Sequence, residues 1–285
     1  MASAPRVYLY GRPEIASFGA FAEGLASEGF RSVFQRPGLF KSRDADPSAV
    51  AVVVNGLKGE ALVIADTYRA LGIPVWVMEL PRLRNEPDAF SLLYGSLHWL
   101  PLPNDRPVVA APVIEKRSPE VTLVAAQKER DASHGMDPKQ LDEFLRLTIA
   151  DARAAHPSRP VAIRPHPRSE LEVPADWWGA DELSVGDVRD ALARSACVVT
   201  YNSTVGWDAI AAGVPVVALA GHANCAYWPY TARLDEVKPL PARKRTEALK
   251  RAAAGQWTLA EMASGAAVRA TVADSSLTFD PAVAA

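Results

Sequence analysis

The chain has 285 residues, enough for two modest α/β domains, and its 49% hydrophobic and 22% charged content is that of a folded protein. A formal net charge of −2 argues against a chain whose main task is gripping nucleic acid, since such domains are usually basic. Two cysteines exclude a disulfide scaffold and fit a reducing cytoplasm, Met1 to Arg6 lacks a signal-peptide pattern, and no apolar run reaches the length of a membrane span.

Val7–Tyr10 is predicted as a short apolar strand, followed by a turn at Gly11-Arg12-Pro13. Ile15, Phe18, Phe21, Ala22 and Leu25 recur at helical spacing up to Glu28, and Gly29 stops that helix. Arg31–Gln35 reads as a strand, and Val50–Asn55 as a buried parallel strand because its apolar run is continuous. A helix from Glu60 to Leu71, a break at Gly72-Ile73-Pro74 and a strand at Val75–Met78 follow. Strands alternating with helices predict a parallel sheet covered on both faces, a first Rossmann-like domain over residues 1–114. Within it, Glu79 to Pro107 reads as a long irregular loop rich in Pro, Arg and aromatics.

Glu115–Pro119 reads as a linker into a second α/β domain over residues 115–270, with 271–285 a loosely ordered tail. Its predicted strands are Val121–Ala126, Val161–Arg164, Cys197–Thr200 and Val214–Leu219. Its predicted helices are Asp137 to Ala155, Val185–Arg194, Thr246 to Ala254 and Leu259 to Ala270. Cys197, in an apolar strand, reads as a small core residue.

The densest chemistry lies at Val198 to Ala218, read as strand, turn, helix, turn, strand. Asn202, Ser203 and Thr204 sit where the strand gives way to the helix. Asn202 or Ser203 would cap that helix, and three polar residues exceed what a cap needs. Exposed backbone N–H groups and the positive helix end there suit a phosphate. Open α/β sheets bind ligands at this carboxyl edge.

Upstream, Arg164-Pro165-His166-Pro167-Arg168 is stiffened by alternating prolines. It is either a rigid surface loop or a device that fixes His166, Arg164 and Arg168 against a phosphate or ribose. After the first strand of the second domain come Gln127 and Asp131. Asp131 reads equally as a general base for an acceptor hydroxyl and as a loop acid or cap. His134 reads as exposed and incidental. In the first domain Glu79 ends a strand, with Arg82 and Arg84 behind it; Glu79 is the other candidate base, and a surface ion pair is the plainer reading. Trp177-Trp178 reads as core or domain-contact residues, or as a base-stacking platform. No metal-ligand spacing, Walker A pattern, dinucleotide fingerprint or nucleophile elbow occurs.

Arg-Pro-His-Pro, Asn-Ser-Thr-x-Gly and Gly-Val-Pro-Val together resemble the capsular polysaccharide type of glycosyltransferase, which includes bacterial Kdo transferases. That group is distantly similar to bacterial sialyltransferases and teichoic-acid glycerophosphotransferases. The resemblance runs over about Val121 to Ala220 and implies a GT-B fold, two Rossmann-like domains with parallel sheets facing across a cleft. It implies a nucleotide-sugar donor as substrate, with no cofactor; no metal is required if the protein itself supplies the positive charge. His166 would bind nucleotide phosphate or ribose, Ser203 and Thr204 phosphate; Gln127 would line the cleft and Asp131 stand near the catalytic centre. Glu79-Leu80-Pro81-Arg82 loosely matches a Glu-containing motif of the first domain. Gly255-Gln256-Trp257-Thr258-Leu259-Ala260-Glu261-Met262 is similar to a tail of bacteriophage-encoded members, some of which decorate hydroxylated DNA bases. The expected function is therefore sugar transfer to a hydroxyl acceptor; the tail favours a hydroxymethylated base in phage DNA, since a local basic cleft can coexist with a negative total, while the acidic balance favours a glycan or small molecule. The alternatives are a Kdo-, sialyl- or glycerophosphate-type transferase acting on a surface glycan, and a nucleotide-sugar- or DNA-binding module without turnover.

Overall fold

The structure is a computed structural model. It describes residues 4–57, 59–83, 88–94, 108, 113–115, 117–131, 134–169, 174–220, 233–238 and 240–274. The chain divides into two compact units, one made of 1–107 with 251–285 and the other of 108–250.

The first unit carries a six-stranded sheet in the order β11-β5-β4-β3-β1-β2. Its strands are β1 (Arg6–Tyr10), β2 (Arg31–Gln35), β3 (Ala51–Asn55), β4 (Val75–Glu79), β5 (Ala89–Tyr94) and β11 (Gln256–Thr258). Strands β2, β1, β3 and β4 are mutually parallel, and β5 runs antiparallel to both β4 and β11. The continuous apolar runs of β3 and β4 are buried on both faces, as parallel central strands require. One face packs Leu9, Val53, Trp76, Met78 and Leu92 against Phe18, Phe21 and Leu25 of α1 (Ala16–Ser27). The other packs Val52, Val54, Val75 and Val77 against Ile64, Ala65 and Tyr68 of α2 (Glu60–Ala70).

Two expectations fail here. The segment read as irregular between Glu79 and Pro107 contains β5, which pairs with β4 on one side and β11 on the other. Residues 251–270, read as part of the second domain, belong to the first unit, because β11 closes the edge of its sheet and Trp257, Met262, Ala267 and Val268 complete its core. Of the tail, Thr271 is buried, its Oγ1 donating to the Ala267 carbonyl; residues 275–285 lie outside the described ones.

The second unit has a five-stranded parallel sheet in the order β10-β9-β6-β7-β8. The strands are β6 (Val121–Ala125), β7 (Val161–Arg164), β8 (Glu182–Leu183), β9 (Ser195–Thr200) and β10 (Val216–Ala218). Helix α3 (Pro138–Ala155) starts at a capping box, Asp137 accepting from the Gln140 N–H and Gln140 reaching back to the Asp137 N–H. It packs Leu141, Leu145 and Ile149 on the sheet face carrying Val124, Ile163, Val199 and Val217. Helices α4 (Val188–Arg194) and α5 (Val205–Ala212) pack on one another and on β9. Gly213, at φ 80°, ends α5 in the left-handed conformation that releases the chain into β10. The expected helix from Val185 starts later, at Val188, because Asp187 caps it. Beyond α6 (Ala242–Ala254), α7 (Leu259–Ala263) and α8 (Ala266–Arg269) replace one expected helix, broken at Gly265.

Candidate functional site

In the second unit β6 and β9 are neighbours, yet the chain leaves them in opposite directions. From β6 it passes through α3 to β7; from β9 it passes through α5 to β10. That reversal opens a crevice at the carboxyl ends of the two strands, where open α/β sheets take their ligands. Thr200, at the end of β9, is paired in register with Ala125 of β6 and is buried. Its Oγ1 accepts from Gln127 Nε2 at 3.3 Å and from the Ser203 N–H at 2.9 Å. Gln127, also buried, is therefore tied across the crevice to the turn that opens α5.

Tyr201, Asn202, Ser203 and Thr204 are all half-buried on that turn. The capping differs from expectation. Thr204 holds the cap position with helical dihedrals and no side-chain cap bond. Ser203 Oγ, one residue earlier, accepts from the Val205 N–H at 3.3 Å. Serine at 203 thus meets one of the orphan helix donors, and its neighbours need not. The Tyr201 ring stands edge-on to Phe144 of α3 at 5.5 Å and to His134 at 6.4 Å between centroids.

His166 follows β7, next in the sheet to β6. The Arg168 N–H donates to its Nδ1 at 3.1 Å, and its carbonyl accepts from the Ser169 N–H at 2.8 Å. An Nδ1 that accepts leaves the ring proton on Nε2, so the neutral imidazole presents a donor. Burial holds its pKa below the ordinary 6.5, and the Arg168 charge pushes the same way; Asp131 and Glu129 pull it back up. Ser169 Oγ donates to Glu129 Oε1, joining the His166 loop to the loop after β6. Gln127, Glu129, His166 and Ser169, with Trp178, Leu141 and Leu145 beneath, line a pocket of about 20 Å³, room for one water-sized group.

The arginines part company. Arg164 Nη2 donates to the Gly186 carbonyl at 2.6 Å, in the turn before α4, while its Nη1 is buried without a hydrogen-bond partner among the described residues. Arg168 is exposed beside His166. His134 is buried rather than exposed, which corrects the sequence reading. Its Nδ1 accepts from the Met136 N–H at 3.0 Å and its Nε2 lies 2.8 Å from the Lys128 carbonyl. It spans the loop that carries Asp131, in which Arg130 takes a φ of 57°. Asp131 is half-buried, and its charge raises the His166 pKa. Ala132 and Ser133 lie outside the described residues. Trp178 is core, and Trp177 is half-exposed, donating to Asp142 Oδ1 with the Arg146 guanidinium over its ring at 5.3 Å.

In the first unit Glu79 is half-buried at the end of β4, its Oε2 accepting from the Leu80 N–H. Arg82 is buried, and Arg84 lies outside the described residues. Glu129 and Ser169 were given no role from the sequence, and Thr200 was read only as part of the polar 200–204 segment. Only Thr200 left a signal there, as the last residue of the apolar strand before the polar turn. Cys197 is buried as expected, and Cys225 lies outside the described residues. Among the described residues no group of three or more His, Cys, Asp or Glu is placed to hold a metal ion, and no helix is long and apolar enough to cross a membrane.

No protein-family model matches the chain, and no curated protein matches its sequence. Solved structures do. A Thermosulfurimonas dismutans KpsC β-Kdo 2,7 transferase is similar at a TM-score of 0.51 and 14% identity, over 86% of this chain and 89% of that one. A KpsC β-Kdo 2,4 transferase from the same organism is similar at 0.51 and 14%, over 90% and 91%. The likeness is one of fold, and it agrees with the expected class: α/β, with the Rossmann-like units of GT-B enzymes.

Proposed function

We propose that the chain is a glycosyltransferase that moves a sugar from a nucleotide-sugar to a hydroxyl acceptor. The observation that carries this reading is the chain of bonds Gln127–Thr200–Ser203 at the sheet's switch point, with the His166 Nε2–H donor one strand away. The donor phosphate lies against Ser203, Thr204 and Asn202 at the start of α5, where the helix dipole favours negative charge. His166 donates to a phosphate oxygen or a ribose hydroxyl, with Arg168 at the rim. Arg164 spends Nη2 on the Gly186 carbonyl, and its Nη1, buried without a hydrogen-bond partner among the described residues, keeps it in this set.

In the reaction the acceptor oxygen attacks the anomeric carbon, the bond from that carbon to the phosphate oxygen breaks, and the nucleotide leaves with the electron pair. A carboxylate takes the acceptor proton. Asp131 is the assigned base, since it shares a loop with Gln127; Glu79 is the alternative. The hydrogen-bond donors at the strand ends meet the charge that develops on the leaving phosphate, and no metal is called on.

For the acceptor we favour a hydroxymethylated DNA base, on the likeness of residues 255–262 to phage-encoded enzymes. Transfer to a surface glycan is the second reading, favoured by the fold likeness to two Kdo transferases. The test begins with thermal-shift screening against UDP-, CMP-, GDP- and CDP-linked sugars; stabilisation by none of them sinks the proposal. His166→Ala and Ser203→Ala should each weaken binding of the sugar nucleotide that does stabilise, with the fold intact. Asp131→Asn should keep binding and lose turnover; full turnover there, with loss in Glu79→Gln, moves the base to Glu79. Labelled donor offered to hydroxymethylated DNA and to glycan acceptors, read by product mass, decides between the two acceptors.

A further inference from the structure

Three polar side chains form one row across the first unit's sheet. Glu79 of β4 is opposite Ser91 of β5, and Ser91 is opposite Gln256 of β11. Directly opposed residues of antiparallel strands project to the same face. Glu79, Ser91 and Gln256 therefore share a face at the carboxyl end of β4.

Past β4 the chain turns through Leu80 and Pro81 into Arg82 and Leu83, which are 7% and 3% exposed. Gln256, 2% exposed, holds that turn with both ends of its amide. Its Nε2 donates to the Leu83 carbonyl at 2.8 Å, and its Oε1 accepts from the Leu83 N–H at 3.0 Å. A primary amide bonded this way imitates a strand partner and satisfies one residue's backbone completely. The frame behind it is fixed. The Leu92 N–H donates to the Gly255 carbonyl at 2.7 Å, and Trp257 is buried in the core. Thr258 caps α7 through a reciprocal bond pair with Glu261. The short returning strand thus delivers one amide to the turn between Glu79 and Leu83, next to Arg82.

We propose that Gln256 is a positioning residue of the acceptor half. By clamping Leu83 it fixes the Glu79–Leu83 turn, and so the directions of the Glu79 carboxylate and the Arg82 guanidinium. The proposal rests on the reading above in which Glu79 and Arg82 serve the acceptor. A side chain that only stabilised the fold would change melting and leave acceptor kinetics alone. A positioning residue changes acceptor kinetics and spares the donor, whose binding residues belong to the other unit.

The test uses Gln256→Met, which keeps the length and removes both bonds, and Gln256→Glu, which keeps an acceptor for the Leu83 N–H and should fold where the first does not. Three quantities are read: donor affinity by calorimetry, kcat and KM for the acceptor, and modification of Arg82 by phenylglyoxal, mapped by mass. Donor affinity should stay within about twofold while kcat/KM for the acceptor falls about tenfold or more, the scale expected when a reacting group is misplaced by a fraction of an ångström. Arg82, protected in the wild type, should become modified in the folded variant. Arg82 protected in both variants, or acceptor kinetics unchanged in both, overturns the proposal. The modification needs no turnover, so the two readings fail differently. A wild type that transfers to no acceptor, with Arg82 opened in the variant, overturns the transferase reading and the positioning role with it, and leaves the clamp standing as a structural bond.

Discussion

Replacing Thr200 by valine tests the bond that joins the two strand ends. Valine keeps the branched shape and removes only the hydroxyl. Two donors lose their acceptor: Gln127 Nε2, on a side chain 7% exposed, and the Ser203 N–H, on a half-buried residue that water can reach. A buried unpaired donor costs about 1–3 kcal/mol and a rehydrated bond about 0.5–1.5. The Gln127 bond is long at 3.3 Å, so the lower part of its range applies. The expected loss is about 2 kcal/mol. Thr200→Ser is the control, since it keeps the hydroxyl and removes a buried methyl, worth roughly 1 kcal/mol. If the hydroxyl governs, valine is the worse replacement; if packing governs, serine is. Urea titration followed by tryptophan fluorescence ranks the two, and calorimetry with the sugar nucleotide gives the second readout. Loosening of the 201–204 turn should cut donor affinity about tenfold in the valine variant and little in the serine variant, since a factor of ten is about 1.4 kcal/mol. A valine variant as stable as serine, with unchanged donor affinity, would refute the assignment of Thr200 as the junction.

The pKa of His166 is lowered on folding, so the unfolded chain binds more protons below its ordinary 6.5. Its contribution is flat above that value and destabilises the fold as pH drops through it; His166→Gln should flatten the slope of the urea midpoint there, and an unchanged slope would show that other groups set it. His134→Ala removes both ring bonds that hold the 128–136 loop and should cost about 2–4 kcal/mol, with turnover falling more than donor affinity, measured on the same folded sample. Gly24→Ala should destabilise although alanine is the better helix former, because a Cβ there would stand 1.9 Å from the Met262 carbonyl oxygen; a more stable variant in urea would mean that α7 does not dock on α1.

What could be read from residues alone follows the range of the forces involved. Ala51–Asn55 and Val75–Glu79 were legible because buried parallel strands are apolar without interruption. The 18 residues of α3 were legible through their spacing and the Pro138 start. Strand β11 was not, since three residues carry no period and its partner β5 is more than 160 positions away. Strand β5 was hidden differently: its other partner β4 is close by in sequence, but the residues between them are rich in Pro and Arg and read as irregular. At the site, the backbone signal at 200–204 was visible, but side-chain directions were not. Arg164 gives one nitrogen to the Gly186 carbonyl, and His134 turns inward because Lys128 and Met136 offer it both partners. No residue pattern announces such partners. The 255–262 segment, read for its likeness to phage enzymes, does structural work through Trp257, the Thr258–Glu261 box and Met262.

The Arg164 nitrogen spent on Gly186 bears on the physics of the donor edge. An arginine fork would hold a phosphate by net charge, and its strength would fall as salt screens it. One Arg164 nitrogen goes to Gly186 and Arg168 is exposed; beside Gln127 and Thr200 stand the His166 imidazole and the polar 201–204 turn, with the charges of Arg168, Asp131, Glu129 and Lys128 acting on the ring. The imidazole and the turn are fixed dipoles. Held by the Thr200 junction and the proline-stiffened loop, they lose little freedom when a ligand arrives, and burial strengthens them. A neutral His166 belongs to the same logic. Protonation would break the Arg168 N–H bond to Nδ1 and set a second cation beside Arg168, so the burial that lowers its pKa also preserves the geometry of the Nε2–H donor. An edge built this way discriminates by the positions of acceptor oxygens as well as by charge, which suits a sugar nucleotide whose phosphates must be aligned before the sugar leaves.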